Sequence, residues 1–279
     1  YEYDFGNGIF QTVPTGTVMY KYPASGNYTV NVIAKNTAGK TISKSVDVSV
    51  TVAQSLIWSD EFDAPGAPNP AKWNYDLGAG GWGNQELQYY TQSNVVVSGG
   101  TLKITAKREN SNGFAFTSTR LLSKGKFSVK YGRIDIRAKL PVGGGTWPAL
   151  WMLGNNIDAV SWPNCGEIDI MEHKGNDQNR IHGTLHYPGR FGGNPDGSTR
   201  VINNASTEFH IYSVDWSATS IKIYVDDQLI HTVANSNALP FNQEFFLILN
   251  VAMGGTFGGS VDPAFTSSTM EVDYIRIYK

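Results

Sequence analysis

Apolar and polar residues alternate along this chain in short bursts. Residues 95–97, 101–107, 132–140, 209–216, 221–225, 244–251 and 271–278 each read as a strand with one face turned inward. Long runs at helical spacing are missing, and glycine-rich turns separate the bursts. The pattern predicts an all-β chain, an antiparallel sandwich of two sheets. Residues 27–34 and 41–50 form a further alternating pair around an Asn-Thr-Ala-Gly turn at 36–39.

One burst carries acids where a core strand would have none. Residues 166–173 read Gly-Glu-Ile-Asp-Ile-Met-Glu-His. Glu167 and Asp169 are two apart and share one face of a strand. Glu172 is five residues beyond Glu167, an odd step that would drive it among Ile168 and Ile170. One extra residue in a β-bulge near Ile170 and Met171 returns it to the first face, and that bulge is predicted here. Adjacent like charges raise one another's pKa, so lining up three of them is costly. Paired carboxylates suit glycoside hydrolysis: one attacks the anomeric carbon while the other protonates the leaving oxygen. Four effective strand steps set the two glutamate Cα atoms roughly 13 Å apart. Inward-leaning side chains can bring the carboxyls to about 5 Å, the spacing for retention. Glu167 is then the nucleophile, Asp169 its helper and Glu172 the acid/base. Glu172 must hold a proton when substrate arrives, so its pKa is expected above that of Glu167. A solvated strand edge or an acidic calcium site would use the same residue types, but neither explains the large apolar residues between them.

Composition narrows the field. The chain has 279 residues, 41% of them hydrophobic, enough for one large domain with a small one beside it. A net charge of −2 offers no basic field, so a nucleic-acid partner is not expected. No run of 18 apolar residues is present, so no membrane-spanning helix is expected either. The first residues do not read as a secretory leader. Cys165 is the one cysteine. No base is identifiable beside it, so it reads as a buried apolar thiol rather than a nucleophile.

The acidic stretch resembles glycoside hydrolase family 16 in its six-residue form, Glu-Ile-Asp-Ile-Met-Glu. The likeness is to the laminarinase (endo-β-1,3-glucanase) branch. It extends through Trp-Ser-Asp-Glu-Phe at 58–62, Gly-Trp-Gly-Asn-Gln-Glu-Leu-Gln-Tyr-Tyr at 81–90, Gly-Thr-Trp-Pro-Ala-Leu-Trp-Met-Leu at 145–153 and Val-Asp-Tyr-Ile-Arg-Ile at 272–277. It therefore covers residues 55–279. The resemblance implies a curved, concanavalin-like jelly roll holding an open glycan cleft. The implied partner is a β-glucan polysaccharide or oligosaccharide. It also implies that Asn84 and Trp82 contact sugar on the donor side and that Arg120 contacts substrate near the nucleophile. His186 is implied beside the acid/base. A structural calcium is implied on the convex side at Glu61, the Gly100 carbonyl and Asp273, its shell completed by waters and other carbonyls.

Other residues are read on their own chemistry. Trp147 and Trp151 are four apart and share a strand face; with Trp162 they form an indole platform on which sugar CH faces can stack. Trp58 and Trp216 are assigned to the core. His182 and His186 are also four apart, but no third ligand for zinc is apparent. His173 should face away from Glu172. Glu86 can bind sugar hydroxyls or hold its loop, and Asn250 can donate to substrate. Residues 78–83 match a Gly-x-Gly-x-x-Gly pattern, but no βαβ unit surrounds them and a dinucleotide site is rejected. Lys126, Lys130, Arg133, Arg137 and Lys139 are expected on a solvated outer face. The Gly/Pro-rich loop at 187–198 is expected at the acceptor end of the cleft.

Residues 1–52 differ from the rest. Tyr-Asp-Phe-Gly-Asn-Gly at 3–8 and Tyr-Pro-Ala-Ser-Gly-Asn-Tyr at 22–28 resemble the C-terminal part of a PKD-like, immunoglobulin-like domain. Asn7 stands where that family usually has Asp. The usual first strands are missing, so the module is expected to be partial, with unpaired edges that dock, pair with another molecule or order poorly. The division expected is 1–52 and 53–279, joined by a short linker at 52–55. A secreted protein, extracellular or periplasmic, fits this pair of domains, and a monomer is expected unless the partial module is swapped. Two other activities remain open: a mixed-linkage β-1,3-1,4-glucanase, and a non-catalytic glycan-binding module. Transglycosylation differs only in acceptor.

Overall fold

The computed structural model describes residues 1–22, 26–50 and 54–279. Contacts divide the chain into Tyr1–Ser55 and Leu56–Lys279. The linker expected at 52–55 falls partly outside the described residues.

In the first unit, the strands Phe10–Thr12, Glu2–Asp4, Gly26–Lys35 and Thr41–Val50 lie side by side, all antiparallel. The turn at 36–39 closes as its residues demand. The Asn36 side-chain oxygen accepts from the Lys40 amide at 2.9 Å, and Gly39 takes a left-handed φ of 79°. Phe5 is the buried centre of an aromatic row, stacked on Tyr20 at 3.9 Å. Among the described residues this is a single sheet, not a closed sandwich. Its edge strand Thr41–Val50 is exposed along most of its length, including Ile42 and Val46.

The second unit is a two-sheet jelly roll. An outer sheet of ten strands runs through Gly132–Lys139 and Ser267–Tyr278. Its pairings are antiparallel except Phe116–Ser118 against Gln88–Tyr90, which is parallel. In Gly132–Lys139 the residues Ile134, Ile136 and Ala138 point into the core. Between them Arg133 pairs with Asp135 and Asp227, Arg137 with Asp273, and Lys139 with Glu271. Lys126 and Lys130 are exposed. The basic set is thus the outer, solvated face that alternation predicted.

The inner sheet places the site. Its order is Asp196–Val201, Arg180–His186, Glu167–His173, Thr146–Gly154, Phe245–Met253, Arg120–Leu122 and Asn74–Asp76. Phe245–Met253 is buried at every position, as a central strand covered on both faces must be. Trp216 is buried and Trp58 packs partly buried against the same core.

Candidate active site

The bulge forms where parity requires it. Along Thr146–Gly154, Trp151 faces Asp169 and Ala149 faces Glu172. Along Arg180–His186, Thr184 faces Asp169 and His182 faces Glu172. Each neighbour spans with one residue, Leu150 or Gly183, what the acidic strand spans with two, Ile170 and Met171. Both of those are fully buried, together with Ile168. The extra residue therefore goes to the core, and Glu167, Asp169 and Glu172 all line the same cavity. The partners of the outer glutamates, His186 and His182, are four residues apart on an unbulged strand, which is the four-step separation expected from the sequence.

That cavity measures about 850 Å³. It also holds Trp147, Trp151, Trp162, Arg120, Trp82, Asn84, Glu86, Asn250 and His186, every residue expected to meet substrate. Trp147 does more than offer a stacking face. Its indole Nε1 donates to Glu172 Oε1 at 3.0 Å. Trp151 Nε1 donates to Asn250 Oδ1 at 2.8 Å, and the Asn250 amide donates to the Tyr90 hydroxyl at 3.1 Å. Glu86 is buried and accepts from Gln88 at 2.6 Å, from Tyr90 at 3.1 Å and from Asn84 at 3.4 Å. Both Asn250 and Glu86 thus serve a network of the protein's own groups along one wall of the cavity. The Arg120 guanidinium lies between the Trp82 and Trp151 rings, at 4.9 and 4.8 Å, and its Nε is 3.0 Å from Asp76 Oδ2. The pairing of charge with two indole faces fixes the arginine in place.

The histidines are arranged differently from the expectation. His186 pairs with Glu167, and its Nε2 is 3.7 Å from Glu167 Oε1 and 3.4 Å from Asp169 Oδ2. It stands beside Glu167, not Glu172. His182 occupies the place across from Glu172. Antiparallel pairing matches the later histidine to the earlier acid, which spacing along one strand does not reveal. His173 faces away from the cleft, fully buried, 2.7 Å from the Gln178 carbonyl.

Sequence reasoning missed one wall. Phe257 and Thr256, in the helical turn Gly255–Gly258, line the cavity. The Phe257 ring contacts Trp147 at 5.1 Å and His182 at 5.0 Å, with Lys174 Nζ above it at 4.6 Å. The available signal was the paired glycines at 254–255 and 258–259, three of which take positive φ. The 187–198 loop contributes Phe191, Gly192, Gly193 and Pro195, as expected of a cleft wall.

Electrostatics follow from burial. Glu167 is pushed up to about 8, first by desolvation and then by the charge of Glu172, with Arg120 pulling the other way. Asp169 is raised well above the ordinary carboxylate range by burial and by both glutamates. Glu172 rises to about 7 through burial, held down by the Trp147 hydrogen bond and by Lys174. Burial thus raises both glutamates, and the groups around each decide which one holds its proton. Glu172 has the Trp147 N–H on it, and Glu167 has a hydrogen bond from Trp162 with the charge of Glu172 set against it. Cys165 is buried behind this strand, its thiol raised to about 11 mainly by desolvation, so it offers no thiolate at neutral pH.

On the outer side, strand registers bring the calcium candidates to one place. Asp60 pairs with Ile275 and Leu102 with Val272, so residues 61 and 100 flank the chain around Asp273. The side chains do not fit a calcium shell as they stand. Glu61 accepts from Arg276 through both oxygens, at 3.1 and 2.8 Å, and Asp273 pairs with Arg137.

Comparison with known proteins agrees with this geometry. The family description "Glycosyl hydrolases family 16" matches residues 83–276. The chain belongs to glycosyl hydrolase family 16. This hydrolase carries a PKD domain match over residues 1–52. It is 46% identical to a beta-glucanase of Rhodothermus marinus over 80% of this chain and 85% of that protein. It is 39% identical to glucan endo-1,3-beta-glucosidase A1 of Niallia circulans, over 81% of this chain but 38% of that longer protein. The laminarinase catalytic domain of Thermotoga maritima superposes with a TM-score of 0.77 at 44% identity, covering 81% of this chain and 98% of that domain.

Proposed function

We propose that this hydrolase cleaves β-1,3-glucosidic bonds within laminarin-type β-glucans, with retention of configuration. The observation that carries the reading is the bulge, which sets three acids on one aromatic-walled cavity. The Glu167 carboxylate attacks the anomeric carbon while Glu172 gives its proton to the departing glycosidic oxygen. This leaves a covalent glycosyl-enzyme. Glu172, now anionic and held by the Trp147 N–H, takes a proton from a water whose oxygen attacks the anomeric carbon; the bond to Glu167 breaks, its carboxylate is restored, and the sugar leaves with its original configuration. NMR of the first product tests the assignment. The retained β-anomer is expected; an inverted product, or more than about a tenth of activity left in Glu167→Ala, would overturn it.

A mixed-linkage β-1,3-1,4-glucanase is the second reading, supported by a relative named only "Beta-glucanase". Relative rates on laminarin and barley glucan decide between them. A non-catalytic binding module is disfavoured by the three acids; glucan binding without new reducing ends would restore it. We also propose secretion, since the PKD pairing suits polysaccharide outside the cell. A structural calcium at Glu61, Gly100 and Asp273 is a further proposal, one that requires Arg276 and Arg137 to give way. A higher Tm on adding calcium to EDTA-treated protein would support it; an unchanged Tm leaves the arginines as the occupants.

A further inference from the structure

Asp169 is 3% exposed, yet its Oδ2 has no hydrogen-bond partner among the described residues. An orphaned carboxylate oxygen at that depth is costly and calls for a donor. The polar atom beside it is His186 Nε2, at 3.4 Å. The other ring nitrogen is occupied: the Gly192 backbone amide donates to His186 Nδ1 at 3.2 Å. A nitrogen that accepts a hydrogen bond presents its lone pair, so the single proton of the neutral ring sits on Nε2. Burial keeps the ring neutral, lowering its pKa to about 4.

We propose that His186 is a positioning residue, locked by the Gly192 amide as the Nε2–H tautomer, and that this N–H is the donor for Asp169 Oδ2 when substrate is bound. The inference rests on the reading of Glu167, Asp169 and Glu172 as the reacting acids. The loop is built to hold that amide. Tyr187 and Arg190 exchange two backbone hydrogen bonds of 2.9 Å, and the Tyr187 hydroxyl donates to Asp196 at 2.6 Å. Phe191 sets its ring edge-on against Trp162 at 5.4 Å, and Trp162 leans on the His186 ring at 5.8 Å. At 3.4 Å the Nε2–Oδ2 contact is too long for a good hydrogen bond; catalytic contacts commonly tighten only in the substrate complex. The donor would fix the Asp169 carboxyl, and so the proton that Asp169 shares with Glu167.

The same atoms of Glu167, Asp169 and His186 lie within 4.8 Å of one another, which resembles a metal site. A metal-bound imidazole gives its second N–H to an acceptor. Here the second nitrogen meets a donor, so the loop favours a proton network.

Nitrogen-15 NMR of the whole labelled chain reads the tautomer, with the His186 signals assigned by their loss in His186→Gln. The Nε2–H form is expected in the free protein, with added zinc leaving its signals unmoved. The Nδ1–H form, or zinc binding at this ring, would overturn the proposal while leaving the glycosidase reading intact. His186→Leu should lower kcat by about 10- to 100-fold, the loss of one hydrogen bond to a charged group, with KM little changed. His186→Gln, whose amide nitrogen reaches the Nε2 position, should restore most of that loss. An unchanged kcat in His186→Leu, or no rescue by His186→Gln, refutes it. Failure of the underlying reading shows separately, as an active Glu167→Ala.

Discussion

Deleting Ile170 should shorten the acidic strand without separating its acids. Leu150 and Gly183 each stand as one residue opposite the pair Ile170 and Met171. With Ile170 gone, all three strands match one for one. Glu172 then lies four steps from Glu167, an even number, and stays in the cleft. The change costs stability rather than parity. Ile170 is fully buried, and removing such a side chain costs about 2–5 kcal/mol. For a domain of this size that lowers Tm by roughly 4–20 °C. Activity on laminarin, measured well below the new Tm, should fall by no more than about 100-fold, the penalty of an ångström-scale misplacement. Inserting a glycine between Ile170 and Met171 has the opposite parity: Glu172 turns into the core, and activity should fall to the level of Glu172→Gln. Circular dichroism confirms that each variant folds. A folded deletion variant as inactive as Glu172→Gln, or an active insertion variant, would refute the parity argument.

Three further outcomes follow from the site. Burial raises the folded pKa values of Glu167 and Glu172 to about 8 and about 7, above their unfolded values. Their contribution to stability is full below the unfolded pKa and is lost as pH rises through that window. Glu167→Gln should therefore melt higher than the parent protein at pH 9 and gain little at pH 4, as read by differential scanning calorimetry. Trp147→Phe removes the donor that favours charged Glu172, so the acid keeps its proton longer and the alkaline limb of kcat should move to higher pH. A Cβ on Gly183 would stand 2.8 Å from Ile223 Cγ2, so Gly183→Ala should cost about 1–3 kcal/mol by overpacking, visible as a lower urea midpoint with kcat largely preserved.

The strands, the bulge and the indole platform were legible because each depends on parity within one segment. Ile168, Ile170 and Met171 announce a core face, and the odd step to Glu172 then allows no other local solution. His186 was placed beside the wrong acid because its neighbour depends on pairing between two strands, which sequence spacing does not encode. Phe257 was missed for a related reason: a glycine-bounded turn carries it back over Trp147 from the far end of a central strand. The calcium candidates share this limit. Register brings Glu61 and Asp273 into one region, yet Arg276 and Arg137 already hold their carboxylates.

The protonation balance between the two glutamates was illegible for a deeper reason. Burial raises both, and what separates them is the donor each has found. Glu172 has the Trp147 N–H from the next strand; Glu167 has a hydrogen bond from Trp162 and the charge of Arg120, with Glu172 opposing them. The roles in hydrolysis require a deprotonated Glu167 and a protonated Glu172. The His186 N–H proposed above would add to the groups that favour it, because a donor brought onto Asp169 and Glu167 favours negative charge there.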